Sequence, residues 1–115
     1  MPHFVIESSK NVTALVAPQK LLAEVHARAE SSGLFKKTDI KVRIRTFEHF
    51  MVGGENADFL HVFAYIMEGR TTEQKKDLSV SIVKSLKKLL PEVPVVSINI
   101  MDFEKATYCN RTMID

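Results

Sequence analysis

The chain has 115 residues, which is the size of one domain, and 45% of them are hydrophobic, enough to build a core. Sixteen lysines and arginines against 14 acidic residues leave a net charge of only +2, so the overall balance does not indicate a nucleic-acid partner. No apolar run approaches the roughly 20 residues of a membrane span, and the first residues lack the pattern of a signal peptide, so we expect no membrane partner.

The first half of the chain predicts a strand, a helix and a second strand. The stretch "PHFVIE" has the composition of a strand, and "PQKLLAEVHARAESSG" predicts a helix that begins at Pro18 and stops near Gly33. The next stretch, "DIKVRIRTFEHF", alternates as a strand does. Its basic residues therefore share one side: Lys41, Arg43 and Arg45.

The second half repeats this order after a break at "GGEN". A strand, "DFLHVFAYIMEG", leads into a helix, "RTTEQKKDLSVSIVKSLKKLL", for which Thr71 and Gln74 predict a capping box. Pro91 ends that helix, and "VPVVSINIMDF" predicts the fourth strand. No form is assigned to the tail "EKATYCNRTMID".

The two halves have nearly the same internal offsets, which indicates a structural duplication with a period of about 56 residues. We interpret residues 1–115 as a single domain with pseudo-repeats at about 2–50 and 58–105. Each repeat is a βαβ unit, whose crossover should be right-handed. The sequence therefore predicts an α+β fold, with a four-stranded mixed sheet and two helices on one face.

The third predicted strand is apolar on both sides. Residues at odd positions such as Phe63 and Met67 would face one way, and residues at even positions such as Leu60 and Ile66 the other. A strand of this kind usually has both faces covered, and the chain is too short to supply a third layer. We therefore expect a homo-oligomer in which another subunit covers the second face.

Three segments resemble a known family. "MPHFVIE" at the amino terminus, "SGLF" before the basic strand and "EGRTTEQKKDL" at the start of the second helix are similar to the tautomerase superfamily. The resemblance covers almost the whole chain and is greatest to the 5-carboxymethyl-2-hydroxymuconate isomerases. It implies a tautomerase-like homotrimer, an amino-terminal proline as catalytic base, and a place in the bacterial catabolism of aromatic compounds.

Pro2 has two interpretations. Proline lacks an N–H and suits the first position of a strand, which would make Pro2 purely structural. If Met1 is removed, Pro2 becomes a secondary amine that acts as a general base when burial and nearby cations bring its pKa toward neutrality. The resemblance favours the catalytic role, and removal of Met1 is then a required hypothesis.

Arg70, Lys41 and Arg43 are the predicted binding residues for a small-molecule carboxylate substrate. Arg70 matches the family arginine after "EG", although alone it would be interpreted as a solvated or ion-paired arginine. Lys41 stands where the related enzymes usually have arginine, and lysine offers a point charge in place of a bidentate fork. Arg43 lies on the same side of the strand as Lys41 and can provide part of the bidentate binding that lysine lacks. The alternative interpretation is that Arg43 belongs to a solvated face or a subunit contact. Arg45 is a weaker candidate.

No cofactor is expected. A proton transfer through Pro2 requires neither a metal nor an organic group, and the histidines lack a ligand spacing such as i, i+4 on a helix. The single cysteine, Cys109, excludes an internal disulfide framework, fits a cytoplasmic location and has no activating neighbour in the sequence.

Three functions remain open at this point. The first is an isomerase that moves an allylic proton in an unsaturated 2-hydroxy acid such as 5-carboxymethyl-2-hydroxymuconate. The second is a tautomerase-fold binding protein, for which macrophage migration inhibitory factor is the precedent. The third is hydration or dehalogenation of an unsaturated acid with the same proline in its protonated form.

Overall fold

Four strands form one mixed sheet in the order β2-β1-β3-β4 in the computed structural model, which describes residues 1–114. The strands are β1 (His3–Ser9), β2 (Lys41–Phe47), β3 (Phe59–Met67) and β4 (Val95–Phe103). β1 pairs with β2 and β3 with β4 in parallel, while the two central strands, β1 and β3, are antiparallel. The predicted mixed sheet of two βαβ units is confirmed.

Two long helices provide the crossovers of these units: α2 (Pro18–Ser31) between β1 and β2, and α3 (Thr72–Leu89) between β3 and β4. The predicted capping box of α3 is present, because the Thr71 hydroxyl accepts from the Gln74 N–H at 3.1 Å and the Gln74 side chain accepts from the Thr71 N–H at 2.9 Å. None of the helices within residues 1–114 is both long and apolar enough to cross a bilayer.

A one-turn helix, α1 (Val12–Leu15), was not predicted. It follows β1 directly, and the Thr13 hydroxyl donates to the Lys10 carbonyl at 2.9 Å. Four residues are too few to show a 3.6-residue period, so nothing in the pattern distinguishes this turn from a loop. The fully buried side chain of Val12 holds it against the core.

The core lies between the sheet and the two long helices. Even-numbered residues of the strands point toward it, because side chains alternate along a strand. The helices contribute residues spaced by three or four positions, as an amphipathic helix requires. The fully or nearly fully buried members include Phe4, Ile6, Leu60, Val62, Ala64 and Ile66 from the strands, and Leu21, Val25, Ala29, Leu78, Ile82 and Leu86 from the helices.

The opposite face of the sheet, which we call the open face, carries the odd-numbered strand residues. Most of those on β3 are half-buried, and Tyr65 and Met101 keep 36% and 39% of their surface exposed. His61 lies near the centre of this face, where its ring nitrogens are 2.6 Å from the Ser97 hydroxyl and 2.6 Å from the Asn99 side-chain oxygen. The open face thus combines apolar and polar groups and is the surface on which the sequence predicts a partner subunit.

Candidate functional site

The start of the chain lies where three strand ends meet. Parallel pairing sets His3 of β1 opposite Lys41 at the start of β2, and antiparallel pairing sets it opposite Tyr65 near the end of β3. Beyond β3, Gly69 adopts a φ of +118°, a conformation that a side chain would disfavour, and the chain turns there into Arg70. Sequence-distant cations are thereby brought to the amino terminus.

Pro2 lies immediately before β1 with its ring fully buried. Its carbonyl oxygen accepts a hydrogen bond from the Lys41 N–H at 3.1 Å, which continues the β1–β2 ladder by one bond. The structure includes Met1, so the Pro2 nitrogen here belongs to a peptide bond. This position suits both interpretations of Pro2, the strand start and the base that appears when Met1 is removed.

The free amino group of the structure, on Met1, has a lowered pKa. Partial burial is the largest cause, because it disfavours the charged ammonium form relative to an ordinary pKa of 8.0. Asp39 acts in the opposite direction and raises the pKa, whereas the positive charges of Lys41 and Arg70 lower it further. An amine at this end of the sheet is therefore deprotonated at a lower pH than an exposed one.

Arg70 is held in one orientation by three groups. Its Nη1 donates to the Met67 carbonyl at 3.2 Å and its Nη2 to the Leu34 carbonyl at 2.7 Å. The guanidinium carbon lies 5.0 Å from the centre of the Phe35 ring, within the range of a cation–π contact. Since a guanidinium has five N–H groups, three remain available for another acceptor.

Lys41 is a second cation near the amino terminus. Its Nζ donates to the Asp39 carbonyl at 2.7 Å and lies 4.0 Å from the Met1 sulfur. We call Pro2, Phe35, Lys41 and Arg70, together with the terminal amine, the amino-terminal cluster. It contains three of the four residues predicted for the site.

The other basic residues of β2 lie further along the strand. Arg43 is opposite Val5, and its Nη1 is 3.1 Å from Nδ1 of His3. Arg45 is opposite Glu7 in the next pair of the same face. Arg43 thus borders the amino-terminal cluster through His3, while Arg45 lies four positions along β2 from Lys41.

Sequence reasoning did not identify the groups that orient these cations. Leu34 and Phe35 belong to the "SGLF" segment, which was singled out only as a point of resemblance. A signal was present, since two large apolar residues follow the helix stop at Gly33, where φ is +74°. Phe35 packs edge-on against Phe4 with ring centres 6.1 Å apart, which joins the cluster to the core.

A cavity of about 860 Å³ lies elsewhere. It is lined by residues of the two long helices, among them Arg28, Lys84 and Lys88, and shares no residue with the amino-terminal cluster. This cavity is therefore separate from the amino-terminal cluster.

Comparisons with known proteins agree with this architecture. The family model for 5-carboxymethyl-2-hydroxymuconate isomerase matches residues 2–113. Among solved structures, a 5-carboxymethyl-2-hydroxymuconate isomerase from Deinococcus radiodurans R1 has a TM-score of 0.83 at 19% identity, with 96% of this chain and 88% of that chain covered. No curated protein sequence matches the chain.

Two further structures are similar. The protein Pt0534, inactivated by 2-oxo-3-pentynoate, has a TM-score of 0.82 at 21% identity, covering 95% of this chain and 91% of that chain. A fused 4-OT described as a symmetric trimer has a TM-score of 0.74 at 16% identity, covering 89% and 87%. At such identities these likenesses show the fold alone, and the tautomerase-like fold predicted from the sequence is confirmed.

The lowered pKa of the terminal amine provides a test of the cluster's electrostatics in the protein that retains Met1. Lys41→Gln should raise this pKa, because a charge that disfavours the ammonium form is removed; Asp39→Asn should lower it further. The pH dependence of amino-terminal acylation, followed by peptide mass mapping, measures both shifts. Lys87→Gln, on the distant end of α3, is the control and should leave the pKa unchanged. Equal pKa values in all variants would contradict this electrostatic description.

Proposed function

The chain belongs to the 5-carboxymethyl-2-hydroxymuconate isomerase family, and we propose that it isomerises an unsaturated 2-hydroxy acid such as 5-carboxymethyl-2-hydroxymuconate, with Pro2 as general base after removal of Met1. The observation that carries the proposal is the position of Pro2 at the start of β1, where the Lys41 N–H bonds to its carbonyl and where the charges of Lys41 and Arg70 lower the pKa of the neighbouring Met1 amine. A free base and cations for an anionic substrate are the groups that this reaction needs.

The proposed reaction moves one proton. In the dienol, the Pro2 nitrogen accepts the proton of the 2-hydroxyl group while the C2–O bond becomes a carbonyl. The C2–C3 double bond shifts to C3–C4, and the electrons of the C4–C5 double bond take the proton back from Pro2 at C5. The proline is regenerated and no oxidant or reductant is consumed. General acid–base catalysis of this kind contributes about 10²–10⁴-fold to a rate.

Arg70 is proposed to bind a substrate carboxylate. Its two carbonyl bonds and the Phe35 ring hold the guanidinium before substrate arrives, so little conformational entropy is lost on binding. The three remaining N–H groups allow a bidentate contact to a carboxylate. Because these donors lie in a partly buried environment, their effect on developing negative charge exceeds that of a solvated arginine.

Lys41 is proposed to act on the oxygen at C2 or on a second carboxylate. Its ammonium group is a point charge, so it provides attraction without the fixed fork that arginine would give. The Asp39 carbonyl accepts one of its three donors and leaves two for substrate. A lysine at this position is compatible with a substrate that carries fewer carboxylates than the tricarboxylate of the family name.

We further propose a homotrimer in which the open face is covered by neighbouring subunits. Half-buried apolar residues on that face, such as Phe59 and Phe63, support a subunit contact. The similar fused 4-OT is a symmetric trimer, which supports three subunits as the ring size. Such an assembly would also place residues of neighbouring subunits near the exposed Lys41 of the amino-terminal cluster.

The Pro2 base is tested by the ketonisation of a 2-hydroxymuconate-type dienol, followed by ultraviolet absorbance. Relative to the wild type, Pro2→Ala should lower kcat by about 100-fold or more, because an acyclic primary amine replaces a more basic and fixed secondary amine. A chain with one extra residue between Met1 and Pro2 is a sharper variant, since it keeps the ring but blocks the nitrogen; it should be inactive.

Intact mass provides the control for this experiment. Cell-made wild type and Pro2→Ala should both lack Met1, while the extended chain keeps Pro2 acylated. If the wild-type protein retains Met1 and still turns over the dienol, or if all three proteins react at the same rate, Pro2 is not the base.

Arg70→Ala should raise KM for the dienol by roughly 10- to 100-fold, because a hydrogen-bonded charge pair with a carboxylate contributes about 1.5–3 kcal/mol. Arg70→Lys should recover only part of this affinity, since it keeps the charge without the fork. Arg111→Ala, in the exposed tail, is the matched control. Circular dichroism checks that each variant is folded. An unchanged KM in folded Arg70→Ala would contradict the binding role.

The proposed trimer predicts a sedimentation mass of three times the 13.0 kDa chain. Phe63→Glu should dissociate it, because a charge would be buried on the covered face. Val80→Glu is the control: it makes the same change in chemistry on the outer side of α3, where Val80 is 43% exposed. A monomeric wild type at micromolar concentration, or equal effects of the two variants, would overturn the proposal.

A further inference from the structure

His3 and Arg43 form a side-chain pair that the mechanism above does not use. Both belong to the open face, with His3 on β1 and Arg43 on β2. The residue opposite His3 is Lys41, and Arg43 lies two positions further along β2. The arginine side chain extends back toward the start of the strands, and its Nη1 lies 3.1 Å from Nδ1 of His3. Within residues 1–114, Arg43 takes part in no salt bridge.

The contact determines the protonation state of the imidazole. A guanidinium has only donors, so the Nδ1 atom facing it must accept, and the remaining proton of a neutral ring must lie on Nε2. The surroundings favour the same state. Burial is the largest cause of a lowered His3 pKa, followed by the charges of Arg43, Lys41 and the terminal amine. On the other side of β1, strand β3 contributes Tyr65 opposite His3.

We propose that neutral His3 is a positioning residue that holds the Arg43 guanidinium beside Lys41, ready for a second carboxylate of the substrate. The identity of that substrate rests on the proposed function, whereas the His3–Arg43 contact does not. A free arginine side chain loses much of its rotamer freedom when it is fixed, and this loss opposes binding. If His3 has already restricted the side chain, less of this freedom remains to be lost when a carboxylate binds.

A pH dependence follows from the geometry. When His3 takes up a proton, Nδ1 no longer has a lone pair to offer, and the imidazolium repels Arg43. Carboxylate binding through Arg43 should therefore weaken as the pH falls through the pKa of His3. The opposite dependence would arise if His3 itself bound the carboxylate as an imidazolium, because binding would then strengthen in acid.

The test is calorimetric titration of cis,cis-muconate, a stable unsaturated dicarboxylate that requires no turnover. At pH 7.5, His3→Leu should weaken binding about tenfold, since the acceptor for Arg43 is lost. His3→Asn should remain within about twofold of wild type, because its amide oxygen occupies the place of Nδ1 and accepts the same bond.

The same titrations, repeated at a pH below the His3 pKa that nitrogen NMR of the ring locates, separate positioning from a merely structural role. Wild type should bind muconate several-fold more weakly than His3→Asn, which has no imidazole to protonate. The comparison is made at one pH, so protonation of the ligand affects both proteins equally. His49→Asn, an exposed histidine outside the amino-terminal cluster, should behave as wild type at both pH values.

Each outcome has one meaning. The predicted pattern without dienol turnover would refute the proposed function and support the role of His3. Dienol turnover with equal muconate affinity in wild type and His3→Leu would refute the role of His3 and leave the function intact. Absence of muconate binding in wild type would also refute the role of His3. Nitrogen NMR of the His3 ring provides a direct check: a neutral tautomer protonated at Nδ1 would exclude the contact with Arg43.

Discussion

The antiparallel pairing of β1 with β3 is the constraint on which the rest of the structure depends. It joins two βαβ units that would otherwise each expose a sheet edge, and it sets the start of the chain beside the end of β3. His3 thereby lies opposite Tyr65. The chain leaves β3 at Glu68, and Arg70, only two residues later, is therefore near the amino terminus. Without this pairing, Arg70 and Lys41 would belong to separate units, and neither the cluster nor its electrostatics would exist.

The position of the amine at a strand start also sets the strength of its interactions. A charge pair 4 Å apart is worth about 1 kcal/mol in water but about 4 kcal/mol at the effective dielectric of a protein surface. Burial therefore acts twice on the terminal amine: it disfavours the charged form directly, and it strengthens the effects of nearby charges. Asp39 raises the pKa, whereas burial and the charges of Lys41 and Arg70 lower it, so the lowered pKa is a balance between burial and three neighbouring charges.

Local patterns predicted much of the fold, whereas the contacts of the site required long-range pairing. The Thr71 capping box, the stop at Gly33 and the alternating strands are recorded in adjacent residues, so they could be identified directly. The bond from Arg70 to the Leu34 carbonyl spans 36 residues and the His3–Arg43 contact spans 40. Both contacts depend on strand register. Hydrophobic alternation determines which face of the sheet a residue occupies, but not which residue of the neighbouring strand lies opposite it.

The alternation of the strands also separates stability from chemistry. Even-numbered strand residues fill the core, so changing one leaves a cavity, whereas Lys41 and Arg43 are exposed on the open face and can change without disturbing packing. This explains how a lysine can stand where the family resemblance implies an arginine while the fold is preserved. Arg70 differs, because its guanidinium also satisfies two backbone carbonyls and stacks on Phe35. Of the cations in this region, Arg70 is therefore the one whose loss affects both the local structure and the proposed chemistry.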